Sequence, residues 1–190
     1  MGGGRGAGNE GAKALLRLCA LVDAMNETLG WVAAFAGIAA ALISAGNAII
    51  RYAFDYSSNA WLEIQWYLFS ATVLLGAACV LRRNEHVRVD ILYGRLSPRG
   101  RVLLDLAGFL LFVLPVISLL AWLSWPIFWR ALESGEVSSN AGGLVRWPVL
   151  LLLPLGFAQV LLQALVEITR RVLHLRDGTP VGAAYERPLQ

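Results

Sequence analysis

Four stretches of this 190-residue chain carry no charged side chain: residues 31–50, 64–81, 106–129 and 147–166. Each is close to the ~20 apolar residues that a helix needs to cross a hydrocarbon core. Lipid offers no water to backbone N–H and C=O groups, so a segment of this kind must be helical to cross. The expected fold is therefore all-α, a membrane protein with four transmembrane helices. Hydrophobic residues make up 57% of the chain and charged ones 15%, against about a quarter charged in a soluble domain. Little chain remains for a second domain. The expected layout is a flexible N-terminus and interfacial arm over 1–27, a membrane domain over 28–173 and a cytoplasmic tail over 174–190, with residues 12–27 readable either as an interfacial helix or as an extension of the first span. Spans are expected near 28–50, 61–81, 101–125 and 147–170.

Charge placement orients these spans. Thirteen of the sixteen Lys and Arg residues lie in the N-terminal arm, the loop between spans two and three, and the C-terminal tail. Only Arg51, Arg130 and Arg146 fall on the other side. Loops rich in Lys and Arg face the cytoplasm, so both termini are expected there, as an even number of spans requires. The arginines are spread over three segments beside apolar runs, which favours membrane lipids over nucleic acid as their partner. Within the loop, Val87, Val89, Ile91, Leu92 and Leu96 lie among arginines, the pattern of a short amphipathic segment at the interface. Ser97-Pro98 then suits the start of the third helix, with Ser as N-cap and Pro at the first helical position. Pro115 and Pro126 should bend that helix unless neighbours satisfy the freed carbonyls.

Span one carries small residues every fourth position. Ala33, Gly37, Ala41 and Ala45 form one row, and Ala36, Ala40, Ser44 and Ala48 another. Small residues at this spacing let helix backbones approach closely in lipid, either within the bundle or against a second membrane protein. Polar residues inside spans are costly and mark packing or function. Gln159, Gln163 and Glu167 line one face of span four, with Arg171 placed one turn on to pair with Glu167. Glu63 and Gln65 open span two, and Asp105 enters span three. Six of the seven tryptophans gather toward one side, as in an aromatic interface belt.

Catalytic machinery is sparse. His86 and His174 are the only histidines, and both lie outside the spans. Haem in a four-helix membrane bundle would normally need imidazoles within it. Zinc-protease, nucleophile-elbow and phosphate-loop motifs do not occur. No enzyme activity, cofactor or metal is expected.

The run Trp61-Leu62-Glu63-Ile64-Gln65-Trp66-Tyr67-Leu68-Phe69, then Leu75-Gly76-Ala77-Ala78, then Arg82-Arg83-Asn84-Glu85-His86-Val87-Arg88-Val89-Asp90-Ile91 resembles the small membrane subunit of tripartite ATP-independent periplasmic (TRAP) transporters, a DctQ-like small permease. Gly142-Gly143-Leu144, Trp147-Pro148 and Pro154-Leu155-Gly156 are similar to that family too. The likeness covers roughly residues 28 to 172. A single glutamate followed by Ile-Gln departs from the two acidic residues common in the family. The resemblance implies a non-catalytic scaffold in the bacterial inner membrane. It would pair with a large multi-span subunit that performs sodium-coupled uptake of an organic anion, and a periplasmic binding protein would deliver that anion. Under this resemblance Gly37, Ala41, Ala45, Glu63, Trp66, Gln159 and Gln163 are candidates for the subunit contact. His86, Arg88 and Asp90 would organise the inner loop, with Arg82 and Arg83 anchoring span two by snorkelling. Two other readings are a self-sufficient oligomeric channel or carrier and a membrane anchor for a redox enzyme.

Overall fold

The computed structural model describes residues 4–56, 58–83 and 96–178, with side chains from residue 10 onward. Among them there is no strand, only helices joined by short connections and one isolated bridge, Val137 with Val145. Four helical segments are long and apolar enough to cross a membrane. They are α1 (Gly4–Phe54), α2 (Asn59–Arg83), a composite third span and α5 (Trp147–Asp177). The third span joins α3 (Pro98–Gly108), a π-helical turn (Phe109–Val113) and α4 (Leu114–Ser134).

Helix α1 differs from the arm-plus-span layout. It runs unbroken through residue 27, because neither proline nor glycine interrupts residues 12–29. Its 51 residues give a length of about 76 Å at ~1.5 Å per residue, more than twice a hydrocarbon core. The charged stretch that suggested a separate interfacial arm is instead one face of this helix, where Asp23, Asn26 and Glu27 have partners on other helices.

The third helix starts where the sequence indicates. Ser97 caps it by accepting the Gly100 N–H at 3.2 Å, and Pro98 occupies the first turn. Pro115 does not break the span. The preceding turn widens to π geometry, and the Leu114 N–H reaches back to the Phe109 carbonyl. One extra residue is taken up just ahead of a proline that cannot donate, so the helix continues. It ends at Gly135, in the left-handed conformation at φ 60°, which a residue without Cβ adopts freely.

Helix α5 is the centre of the bundle. A third of its apolar window is buried, against 6–11% in the other spans. The third span packs on α5, while α1 and α2 pack on each other and on α5. This is an open arrangement, since the third span has no comparable packing against α1 or α2. Close approach comes from glycines. A Cβ on Gly156 would meet the Leu74 Cβ at 2.9 Å and its carbonyl oxygen at 3.0 Å, so the α5 backbone lies directly on α2. A Cβ on Gly30 would meet the Cys79 sulfur at 2.9 Å, which brings α1 equally close.

Candidate functional site

Hydrogen bonds and ion pairs concentrate at three levels of the bundle. The largest group lies at the end that carries Arg170 and Arg171. Helix α5 brings Gln163, Glu167, Arg170 and Arg171 to one face at three- and four-residue spacing, α1 brings Asp23 and Asn26, and α3 brings Asp105. Gln163 is completely buried, and its carbonyl accepts from Asn26 Nδ2 at 2.7 Å. Its own amide donates to Asp23 Oδ1 and Glu167 Oε1, both at 3.2 Å. Arg170 pairs with Asp23 and, at 3.4 Å, with Glu167. Arg171 pairs with Glu167 and, at 3.3 Å, with Asp105, and lies 4.7 Å from the Phe109 ring centre. Asp23, Arg170, Glu167, Arg171 and Asp105 thus alternate in sign across α1, α5 and α3. Such buried pairs add little net stability, because desolvation offsets attraction, yet removing one member leaves an uncompensated charge. Their effect here is to fix the mutual position of three helices.

Next to this chain, Glu27 on α1 bridges to α2, with Arg82 at 3.0 Å and Arg83 at 2.6 Å. Arg82 also donates to the Asp23 carbonyl at 3.0 Å. At mid-span Gln159 donates to the Leu75 carbonyl at 2.9 Å, within reach because Gly156, one turn earlier, lets the two helices touch.

At the opposite end Glu63 organises the loop between the third span and α5. Its carboxylate accepts the Leu144 backbone N–H at 2.6 Å and Asn140 Nδ2 at 2.8 Å. Asn59 holds the Ala141 carbonyl at 3.2 Å, and Tyr67 holds that of Val145 at 3.0 Å. The loop also closes on itself. Ser138 N–H reaches Leu144 O and Arg146 N–H reaches Glu136 O, each at 2.9 Å, with Arg146 and Glu136 paired through their side chains. Gly142, at φ 71°, supplies the left-handed turn residue. The result is a shaped surface held on the first turns of α2.

The residues singled out from the sequence divide among these levels. Glu63, Gln159 and Gln163 are buried in contacts within the chain. Gly37 packs on Thr72 of α2, where an added Cβ would sit 3.4 Å away, so it serves the α1–α2 contact. Ala41 and Ala45, further along the same row, are exposed, as is Trp66 at 69%. Arg82 and Arg83, expected to snorkel, engage Glu27. His86, Arg88 and Asp90, with most of the expected amphipathic segment, lie outside the described residues. Glu167 does pair with Arg171 one turn on. The sequence reading did not assign Asp23, Asn26, Glu27, Arg170 or Asn140 to the site. Asp23, Asn26 and Glu27 share one helical face, a signal that acquires meaning only once α1 continues through residue 27. Asn140 sits in a loop whose polarity pointed only to solvent.

The sequence profile of the family described as the DctQ component of tripartite ATP-independent periplasmic transporters matches residues 40–174. A protein of Haemophilus influenzae named as a putative TRAP transporter small permease protein is 36% identical over 58 residues. That stretch covers 30% of this chain and 36% of the relative, so the aligned part spans about a third of the relative's length.

Proposed function

The chain belongs to the DctQ component family of tripartite ATP-independent periplasmic transporters and is a multi-pass protein of the inner membrane; on that footing we propose that it is a non-catalytic scaffold subunit. It pairs with a large multi-span subunit that takes up an organic anion with sodium, after a periplasmic binding protein delivers the anion. Both termini lie in the cytoplasm, and the loop anchored by Glu63 faces the periplasm.

The observation that carries this reading is the fate of the charges within the bundle. Asp23, Glu167 and Asp105 are bound to Arg170 and Arg171, and Glu63 is bound to loop donors. A carrier must exchange such contacts for solute or ion during its cycle. Here they tie helices and loop together, which suits a rigid brace. Ala41 and Ala45, small and exposed on α1, supply a face where a partner helix can approach closely.

Reconstitution tests the role. Liposomes containing this chain alone should show no solute flux, and uptake should appear only with the large subunit and the binding protein. Flux through the isolated chain would overturn the scaffold assignment. Ala41→Leu combined with Ala45→Leu should reduce co-purification of the large subunit while leaving the chain inserted. Undiminished co-purification would move the contact to another face.

A further inference from the structure

A groove of about 320 Å³ runs between α1 and α2 at the end that bears Arg82 and Arg83. Its lining is small along most of its length, with Gly30 and Ala34 from α1 and Gly76 from α2, and Trp31 beside them is 61% exposed. Glu27 and Arg83 line it too, so one end is charged and the remainder, Thr72 apart, apolar. The charged groups are reachable from outside: the side chains of Glu27, Arg82 and Arg83 are 31%, 28% and 46% exposed.

We propose that this groove binds a phospholipid whose headgroup carries both a phosphate and a primary ammonium, with an acyl chain laid between α1 and α2. The charge pattern selects the headgroup. A guanidinium offers five N–H donors in a planar fork that suits phosphate oxygens. Arg82 uses part of its set on Glu27 and the Asp23 carbonyl. A carboxylate has about four lone-pair sites and can accept from an ammonium as well as from arginine. A choline headgroup has no N–H to donate to Glu27, and a headgroup without an ammonium likewise brings that carboxylate no charged donor. Beyond the charged end the lining is mostly small and apolar, which suits an acyl chain. Trp31 fits as well, since indoles favour the boundary between headgroup and acyl chain. The inference concerns this chain's own surface and does not depend on pairing with a large subunit.

Native mass spectrometry of the full chain, offered phosphatidylethanolamine, phosphatidylcholine and phosphatidylglycerol at equal concentration, reads the preference directly. The ethanolamine lipid should be retained about tenfold over the choline lipid, a difference of about 1.4 kcal/mol. Ala34→Phe, at an exposed position in the lining, should abolish that retention without lowering the melting temperature. Glu27→Gln should erase the discrimination between ethanolamine and choline. Equal retention of all three lipids, or preference for the glycerol lipid, would overturn the proposal. Should Ala34→Phe fail to fold, the unaltered chain still decides. Phosphatidylethanolamine with a photoreactive acyl chain should cross-link at residues 30–34 and 76–80. Labelling spread evenly over exposed residues such as Leu111 and Phe112 would refute a defined site.

Discussion

Replacing Gln163 by leucine removes a fully buried side chain that hydrogen-bonds α5 to α1 while keeping similar volume. Gln163 makes three hydrogen bonds, two across to Asn26 and Asp23 on α1 and one to Glu167 on its own helix. Interhelical hydrogen bonds in membrane proteins average about 0.6 kcal/mol each, so the two to α1 together contribute about 1 kcal/mol. The larger effect falls on Asn26, which is fully buried and whose Oδ1 already has no partner. Loss of Gln163 leaves its whole amide unsatisfied, which adds about 1–3 kcal/mol. Gln163→Leu should therefore destabilise the chain by about 2–4 kcal/mol. Asn26→Leu alone removes one bond, orphans the Gln163 carbonyl and relieves the stranded Oδ1, a net cost of about 1–2 kcal/mol. In the double variant no orphaned amide remains, so the combined loss should fall short of the sum by about 1–2 kcal/mol. Reversible unfolding in mixed micelles, followed by tryptophan fluorescence for the parent and the three variants, measures this difference. Effects that add to within about 0.3–0.5 kcal/mol would show that the two amides do not interact, and the buried network would be refuted as the tie between α1 and α5.

Other outcomes test the remaining contacts. Gly156→Ala should cost about 1–3 kcal/mol and lower the melting temperature, because its Cβ meets the Leu74 backbone. Gly46→Ala, with nothing within 4 Å, should leave stability unchanged, and equal effects at both positions would rule out the close α2–α5 approach. Glu63→Gln keeps the shape but presents an amide N–H where the carboxylate had only acceptors. Hydrogen exchange over residues 136–146 should then accelerate, and unchanged protection would mean that the loop is held by its own turns alone.

The spans were legible because the bilayer leaves the backbone little choice: about twenty uncharged residues in a row cross it as helix whatever their neighbours. The start at Ser97-Pro98 was equally local, since a cap depends on residues three apart. The extent of α1 was harder to read. Residues 12–29 mix charge with apolar side chains, and whether such a helix lies on the membrane or continues the span depends on where Asp23, Asn26 and Glu27 find partners. The small-residue row likewise signalled close packing without saying against what. Its Gly37 belongs to the contact with α2, while Ala41 and Ala45 remain uncovered.

Composition and charge spacing alone thus settled that the chain is helical and enters the membrane four times, and the motif from Glu63 to Asp90 pointed to the family. Tertiary structure alone decided which polar groups meet. Asn26 and Gln163 are 137 residues apart, and Glu63 and Leu144 are 81 apart. No local pattern encodes such pairings. Hydrogen bonds act over about 3 Å, so their partners become definite only after the helices have packed and the glycines have set how closely they approach.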